Sequence, residues 1–224
     1  MKSKEDLPGY MEFASVVSAQ LDIAPDDLLR AAEETAIHTF GWPIGLVLHR
    51  ADATPHPTED GIEAEIGTNT IDNSYDYWRL GSNGDYYILK SLFEDGRSER
   101  RVIFFDTRVV RTAEVFLRTA RLYKALGVPG DHVFNMRIEY GGLRGRVLSV
   151  ISPSRMPIFP ERISSVDSIV REYEVTVDQV LSAAGLKNLV YDVTKRLGEV
   201  FQFFRADQGT VNQAVDAFLV GRIT

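Results

Sequence analysis

The chain has 224 residues, a formal net charge of −7 and no cysteine, so disulfides, thiolate nucleophiles and cysteine-based metal sites are excluded. Hydrophobic residues make up 44% of the chain, but no apolar run approaches the ~20 residues of a membrane-spanning helix. The acidic excess lies in residues 1–70 and disfavours direct DNA binding. We therefore expect one cytoplasmic domain over 1–224, with no membrane association and no signal peptide.

The first half of the chain predicts one helix followed by short strands. Apolar residues recur at helical spacing over 26–40, and Gly41 and Pro43 should end that helix. Short apolar or aromatic-rich runs predict strands beyond it. A Gly/Asn turn at 81–84 joins two such runs and predicts a hairpin. The predicted strands cover 44–49, 61–67, 75–80, 85–93 and 102–105.

The second half predicts longer helices and a second hairpin. Over 132–140, larger apolar residues alternate strictly with a second set of residues, which is typical of a strand. A Gly-Gly turn follows, so we predict a hairpin with 145–151. Residues 166–173 fit either a helix or a strand. The predicted helices cover 107–126, 176–184, 186–204 and 211–220.

Together these elements predict an α+β fold. We expect a mixed sheet of about six strands with two hairpins, packed by amphipathic helices. The core should span about 26–151, and a mainly helical C-terminal part should span about 164–221.

The first predicted hairpin has the most unusual composition of the chain. Alternation places Tyr75, Tyr77 and Arg79 on one face of a strand, and Asp76 and Trp78 on the other. One interpretation is cross-strand aromatic pairing with the tyrosines of the next strand, worth ~0.2–1 kcal/mol per pair. The other is a stacking platform for a flat ligand, with Arg79 as a charged clamp.

Arginine is concentrated in the predicted helix over 107–126, on the polar face that carries Arg111, Arg118 and Arg121, and in the second hairpin. Guanidinium groups suit carboxylates and phosphates, so an anion site could form near the Gly-Gly turn. Solvated ion pairs with neighbouring glutamates are the alternative. The candidate ligand-binding residues are Tyr75, Tyr77, Trp78, Arg79, Arg108, Arg137, Arg144 and Arg146.

Catalytic and metal signatures are absent from the sequence. No nucleophile elbow, zinc-protease motif, dinucleotide fingerprint or kinase signature occurs, so we expect no metal and no cofactor. His49, Asp52 and His56 lie close together, but Pro55 indicates a loop and the spacing fits no ligand motif. A hydrolase or nucleotide-processing enzyme would need carboxylates that converge with a histidine. The candidates are Asp76, Glu94 and Asp106.

Several word-like segments stand out in the sequence: 38–44 (HTFGWPI), 75–78 (YDYW), 91–95 (SLFED), 104–108 (FFDTR) and 141–146 (GGLRGR). Together they resemble a largely uncharacterised bacterial domain that follows AlbA-like, Schlafen-type DNA-binding modules. The resemblance covers about residues 28–150 and implies an accessory or sensing domain of a regulatory or defence-type protein, without assigned catalytic residues. No AlbA-like module precedes the matched part, which argues against direct DNA binding and leaves open that the chain is one domain of a longer protein.

Three functional hypotheses follow from these patterns. The first is a non-enzymatic binding domain that uses tyrosine and arginine to bind a small anionic or planar ligand, or a protein partner. The second is the enzyme with convergent carboxylates. The third is a homo-oligomerisation module, in which an exposed part of the apolar seam over 186–204 would form the interface.

Overall fold

The computed structural model describes residues 2–38, 41–50, 53–67, 74–96, 101–151 and 158–222. Their element pattern is α+β, as the sequence predicts. The helices are α1 (Pro25–Glu34), α2 (Phe105–Ala125), α3 (Val177–Leu181), α4 (Ala183–Glu199) and α5 (Gln208–Leu219). The strands are β1 (Tyr10–Val17), β2 (His56–Thr58), β3 (Gly61–Gly67), β4 (Tyr75–Gly81), β5 (Tyr86–Ser91), β6 (Val102–Phe104), β7 (Val133–Gly141), β8 (Val147–Ser149) and β9 (Ile169–Thr176).

The main sheet has seven strands in the order β2-β3-β4-β5-β1-β7-β9. All its pairings are antiparallel, so the prediction of a mixed sheet is wrong for this layer. The predicted hairpin between β4 and β5 is confirmed. Strand β1 lies at the centre, with Tyr10 opposite Ser91 on one side and Gly141 on the other. This central strand is missing from the predicted elements.

The two faces of the main sheet differ in composition. One face packs on α2 and is largely apolar; from β1 it receives Met11, Phe13 and Val17. The alternate residues of every strand point away from α2 and form what we call the outer face. Its principal residues are Tyr10, Glu12, Ala14, Val16, Glu63, Glu65, Tyr75, Tyr77, Arg79, Tyr87, Leu89, Val133, Asn135, Arg137, Glu139, Val170, Glu172 and Glu174.

Helix α2 is buried on nearly all sides, because the sheet covers one side of it and the C-terminal helices pack on the other. The Phe116 ring lies 6.0 Å from the Phe13 ring on the sheet side. The predicted polar face is therefore wrong for two of its three arginines. Arg111 is 6% exposed and Arg118 is 1% exposed, whereas Arg121 is exposed.

The predicted strand over 44–49 does not form. Ile44 is fully buried, and its N–H donates to the Glu114 carboxylate at 2.8 Å. Gly45 has a φ of +61°, and its carbonyl accepts a hydrogen bond from Arg118 at 2.8 Å. Backbone groups that a strand would pair with a neighbouring strand are thus bonded to side chains of α2.

The predicted second hairpin does not form either. Strand β7 pairs with β1 and β9, whereas β8 pairs in parallel with β6 in a separate two-stranded sheet. At Gly142 the φ is +67°, and a Cβ atom there would lie 2.1 Å from the Pro8 carbonyl oxygen. The chain leaves the main sheet at this glycine, which only a residue without a side chain permits.

Side-chain caps define the start of the C-terminal helices. Of the two readings of 166–173, the structure has the strand, β9. Thr176 then caps α3 by accepting the N–H of Gln179, and Ser182 caps α4 by accepting the N–H of Gly185. Gly185 therefore lies inside α4 and does not end the preceding helix.

The apolar seam over 186–204 is covered within the chain. Leu186, Val190, Val193 and Leu197 are at most 1% exposed and pack in the core shared by α2, α4 and α5. The seam is therefore not the exposed surface that an oligomer interface requires. Among the described helices, none is long and apolar enough to cross a membrane.

Candidate functional site

The predicted alternation of the aromatic run is present in the structure. Tyr75, Tyr77 and Arg79 lie on the outer face, whereas Asp76 and Trp78 point toward α2. Trp78 is 1% exposed, and its indole N–H donates to a loop carbonyl at 2.9 Å. Trp78 is thus a core residue, and the structure does not bring it to the same surface as Tyr75 and Tyr77.

The remaining tyrosines of the proposed platform are covered by the N-terminal strap, which we define as residues 2–8. Leu7 packs against Tyr10, Tyr75 and Tyr77, and the backbone N–H of Lys2 donates to the Tyr75 hydroxyl at 2.9 Å. Tyr75 is 2% exposed and Tyr77 is 6% exposed. Their rings are therefore not accessible to a flat ligand.

The tyrosine hydroxyls of the outer face all donate to glutamates. Burial and the neighbouring carboxylate raise the pKa of Tyr75 to about 12, which keeps its hydroxyl protonated and donating. The Tyr77 ring also lies 6.0 Å from the Tyr87 ring, which is the cross-strand pairing of the first interpretation. The four hydrogen bonds join Tyr10 to Glu139 (2.6 Å), Tyr77 to Glu63 (2.7 Å), Tyr87 to Glu12 (2.9 Å) and Tyr75 to Glu65 (3.1 Å).

Two of the candidate arginines share one row of the outer face but do not meet. The strand register runs Arg79, Tyr87, Ala14, Arg137 across four neighbouring strands. Three interstrand spacings separate the two arginines by about 14 Å. They therefore do not lie next to each other on the sheet.

Both outer-face arginines are also paired with carboxylates. Arg79 contacts Asp60 on the loop before β3. Arg137 donates to Glu12 at 3.0 Å and to Glu139 at 2.6 Å. An anionic ligand would have to compete with these carboxylates.

Arg144 and Arg146 separate although they are two residues apart. Arg146 is fully buried, pairs with Asp95 at 2.6 Å, and donates to the carbonyls of Gly142 and Val102 at 2.7 and 3.0 Å. Arg144 is exposed in the loop between β7 and β8. Arg146 thus holds the β6–β8 layer to the main sheet, and the two guanidinium groups do not form a joint anion site.

Arg108 belongs to a different group, which we call the interior charge cluster, between α2 and the sheet. Every member is buried or nearly so, and each cation has a carboxylate partner. Burial of charged groups costs free energy, and clusters of buried charges often mark functional sites. The pairs are Lys90 with Asp76 (2.6 Å), Arg108 with Glu94 (3.2 Å) and Arg111 with Glu114 (2.5 Å).

Burial shifts the Lys90–Asp76 pair toward neutral forms. It raises the pKa of the Asp76 carboxyl, although Lys90 opposes the shift. Burial also lowers the pKa of the Lys90 ammonium, although Asp76 opposes this, and the positive charge of Arg111 lowers it further. Burial therefore disfavours the charged forms of both members of this pair.

The cluster borders a cavity of about 120 Å³ at the N-terminal end of α2. Arg108 is the only predicted ligand-binding residue on its wall; Lys90, Arg111 and Trp42 were missed. The i, i+3 spacing of Arg108 and Arg111 puts both on one side of α2 and was a usable signal. The wall consists of Met11, Trp42, Ser74, Lys90, Ser91, Phe93, Arg108 and Arg111.

The proposed catalytic carboxylates do not converge with a histidine. Asp76 and Glu94 pair with cations of the interior charge cluster. Asp106 accepts the backbone N–H groups of Thr107 and Ile151 at 2.9 and 3.0 Å, which fixes the loop after β8. These acids bind cations or backbone N–H groups of the chain itself, as carboxylates with a structural role do.

The histidines sit on other parts of the surface. His49 faces Glu33, and His56 faces Glu63. Among the described residues no group of three metal-binding side chains occurs, and Asp52 lies outside them. Comparison of the chain with protein-family models, with curated proteins and with solved structures gives no match.

Proposed function

We propose that this chain is a non-enzymatic binding domain of a cytoplasmic regulatory or defence-type protein, and that its outer face docks a basic segment of a protein partner. The observation that carries the proposal is the charge of that face. Its arginines, Arg79 and Arg137, are already paired with carboxylates. Its glutamates are more numerous: Glu12, Glu63, Glu65, Glu139, Glu172 and Glu174.

The part of the outer face away from the strap is open to solvent. Two shallow depressions, of about 420 and 540 Å³, adjoin at Ala14 and Val16. Val16 is 50% exposed, and Glu172 and Glu174 on β9 are exposed beside it. The small side chain of Ala14, between the larger Tyr87 and Arg137 in its row, makes room for the long aliphatic stem of a lysine or arginine.

Strand β9 offers a second element of recognition. It is the last strand of the sheet and eight residues long, and within the described part of the chain it pairs with β7 alone. Such an edge can accept an extended segment through backbone hydrogen bonds, with specificity from alternate side chains. Glu172 and Glu174 alternate along β9 toward the outer face, so alternate basic residues of an added strand would lie next to them.

The composition of this face argues against the other readings of a binding domain. A phosphate-bearing or other anionic ligand would meet a surplus of carboxylates. A flat ligand would find the tyrosine rings beneath the strap. A basic protein segment meets complementary charge on the open part of the face, and its encounter would be accelerated by long-range attraction.

The test measures fluorescence anisotropy with a labelled peptide of alternating lysine and valine, and with the matched glutamate–valine peptide. We expect saturable binding of the basic peptide that weakens as salt rises, and no binding of the acidic one. The double variant Glu172→Lys/Glu174→Lys should weaken binding of the basic peptide roughly tenfold. The matched control, Glu33→Lys/Glu34→Lys on α1, carries the same charge change and should alter it less than about twofold.

Two results would overturn the proposal. One is equal binding of the basic and acidic peptides, or none of either. The other is equal weakening by both double variants, which would show that net charge, rather than the outer face, attracts the peptide.

A further inference from the structure

The cavity beside the interior charge cluster combines features that the outer face lacks. It lies on the opposite side of the sheet, and its wall includes three cationic side chains, from Lys90, Arg108 and Arg111. Their carboxylate partners do not form part of that wall. Each cation therefore belongs to both an ion pair and the cavity wall.

Arg108 provides an independent sign of a ligand. Its side chain is 4% exposed, and its Nε–H has no hydrogen-bond acceptor within the described part of the chain. Buried donors without acceptors are rare in native proteins, so the unfilled N–H of this cavity-lining residue needs a reason. The guanidinium is held in place by Glu94 and by the Tyr140 ring, whose centroid lies 5.6 Å from Arg108 Cζ. It is thus fixed before any ligand arrives.

The rest of the wall is apolar and hydroxyl-bearing: Met11, Trp42 and Phe93, with Ser74 and Ser91. Trp42 is 39% exposed, and the Ser91 hydroxyl accepts the backbone N–H of Tyr75 at 2.8 Å. Lys90 contributes an ammonium whose pKa is lowered by burial and, further, by the Arg111 charge. Negative charge placed between these two cations would relieve their repulsion.

The volume limits the size of the ligand. About 120 Å³ corresponds to roughly four water molecules at their share of ~30 Å³ each in the liquid. A tetrahedral oxyanion fits that space, whereas a nucleobase or a sugar does not. The planar guanidinium fork and the point charge of a lysine are the groups that proteins use for phosphate-type oxygens.

We propose that this cavity is a binding site for a small tetrahedral oxyanion of the phosphate or sulfate class. Arg108 donates through its unfilled Nε–H, and Lys90 and Arg111 supply charge. This inference does not depend on the docking function of the outer face, because the two sites share no residue.

The test uses Trp42 as a reporter. The chain has two tryptophans, and Trp78 is buried in the core, so in a Trp78→Phe background Trp42 is the sole tryptophan and can be excited selectively over the tyrosines. Sodium phosphate, sodium sulfate and sodium acetate are titrated against sodium chloride at equal ionic strength. The melting temperature of the unmodified chain is recorded in parallel, since a ligand of the native state raises it.

We expect a saturable fluorescence change and a melting-temperature increase with phosphate or sulfate but not with chloride. Preference for acetate would reassign the site to carboxylates and overturn the tetrahedral assignment. Arg108→Lys keeps the charge but removes the Nε–H and should weaken binding at least tenfold. The control Arg144→Lys, at an exposed arginine, should change the affinity less than about twofold.

A second variant keeps the test decisive if Arg108→Lys does not fold. Ser74 is half-buried at the cavity wall, so Ser74→Leu should fill the cavity and abolish the response while the chain stays folded. A response to phosphate equal to that of chloride, or one unaffected by both Arg108→Lys and Ser74→Leu, would refute the site.

Discussion

Charged forms of side chains are favoured on one side of the main sheet and disfavoured on the other. On the outer face, ion pairs favour the charged forms: the carboxylates of Glu12 and Glu139 raise the pKa of Lys4, even though partial burial opposes the shift. In the interior charge cluster, burial dominates and moves Asp76 and Lys90 toward their neutral forms. The residue types are the same on both sides. What differs is whether water or α2 lies against the strand, and this decides whether a charge is solvated or must be compensated.

The comparison predicts its largest effect at Glu114. Glu114→Ala would leave Arg111 without its carboxylate and the buried N–H of Ile44 without an acceptor. We expect a loss of about 3–5 kcal/mol in the free energy of unfolding. The outer-face counterpart Glu172→Ala removes an exposed pair with Arg137 and should cost less than about 0.5 kcal/mol. Urea denaturation of both variants measures the difference; similar losses would contradict the contrast.

A double variant sharpens the comparison at the buried lysine. Lys90→Met alone should cost about 3 kcal/mol at neutral pH, because the Asp76 carboxylate loses its close partner in the interior. Adding Asp76→Asn removes the stranded charge and should recover most of that loss. The free energies of unfolding of the two single variants and the double variant form a cycle. Additive losses would show that the two side chains do not act as a pair.

The strap allows a third test of the comparison, because it partly buries the outer face. Leu7→Ala would remove apolar contact with Tyr10, Tyr75 and Tyr77. We expect a loss of about 2 kcal/mol, near the lower end for buried leucines, since the strap can partly collapse onto the rings. Chemical denaturation gives the loss, and increased tyrosine fluorescence quenching by acrylamide should accompany it. An unchanged stability would mean that the strap does not hold the rings.

The smallest expected effect concerns pH. Burial opposes the shift, but hydrogen bonds from Tyr10 and Arg137 and the charge of Lys4 lower the pKa of Glu139 below its ordinary value of 4.5. The stabilisation is therefore complete above that ordinary value and is lost as the pH falls through the lower pKa of the folded state. Glu139→Gln should reduce the change in the free energy of unfolding over this pH range by less than about 1 kcal/mol. Thermal melts across acidic pH measure it, with Glu172→Gln as the control.

Local pattern was sufficient for much of the fold. The alternation over 132–140 and the aromatic runs around the turn at 81–84 predicted β7 and the β4–β5 hairpin. Helical periodicity predicted α2, α4 and α5. These elements carry their signal in consecutive residues, because one side of each faces a continuous apolar core.

The elements that local pattern missed depend on distant partners. Strand β1 alternates Met11, Phe13, Ser15 and Val17 toward α2, which was a usable signal, but the strand is held by β5 and β7 far along the chain. The sequence over 44–49 has the pattern of a strand, yet Arg118 of α2 donates a hydrogen bond to the Gly45 carbonyl. Strand β8 pairs with β6 because the chain leaves the main sheet at Gly142.

The sequence by itself determined the α+β class, the amphipathic helices and the alternation that separates Tyr77 from Trp78. Only the tertiary structure decided which charged side chains are buried and which lie near water. The arginines were recognised as unusual, but Arg108 and Arg111 are buried because the sheet and the C-terminal helices enclose both sides of α2, whereas Arg137 stays near water on the outer face. Burial is set by what packs from elsewhere in the chain, and no local spacing of residues encodes it.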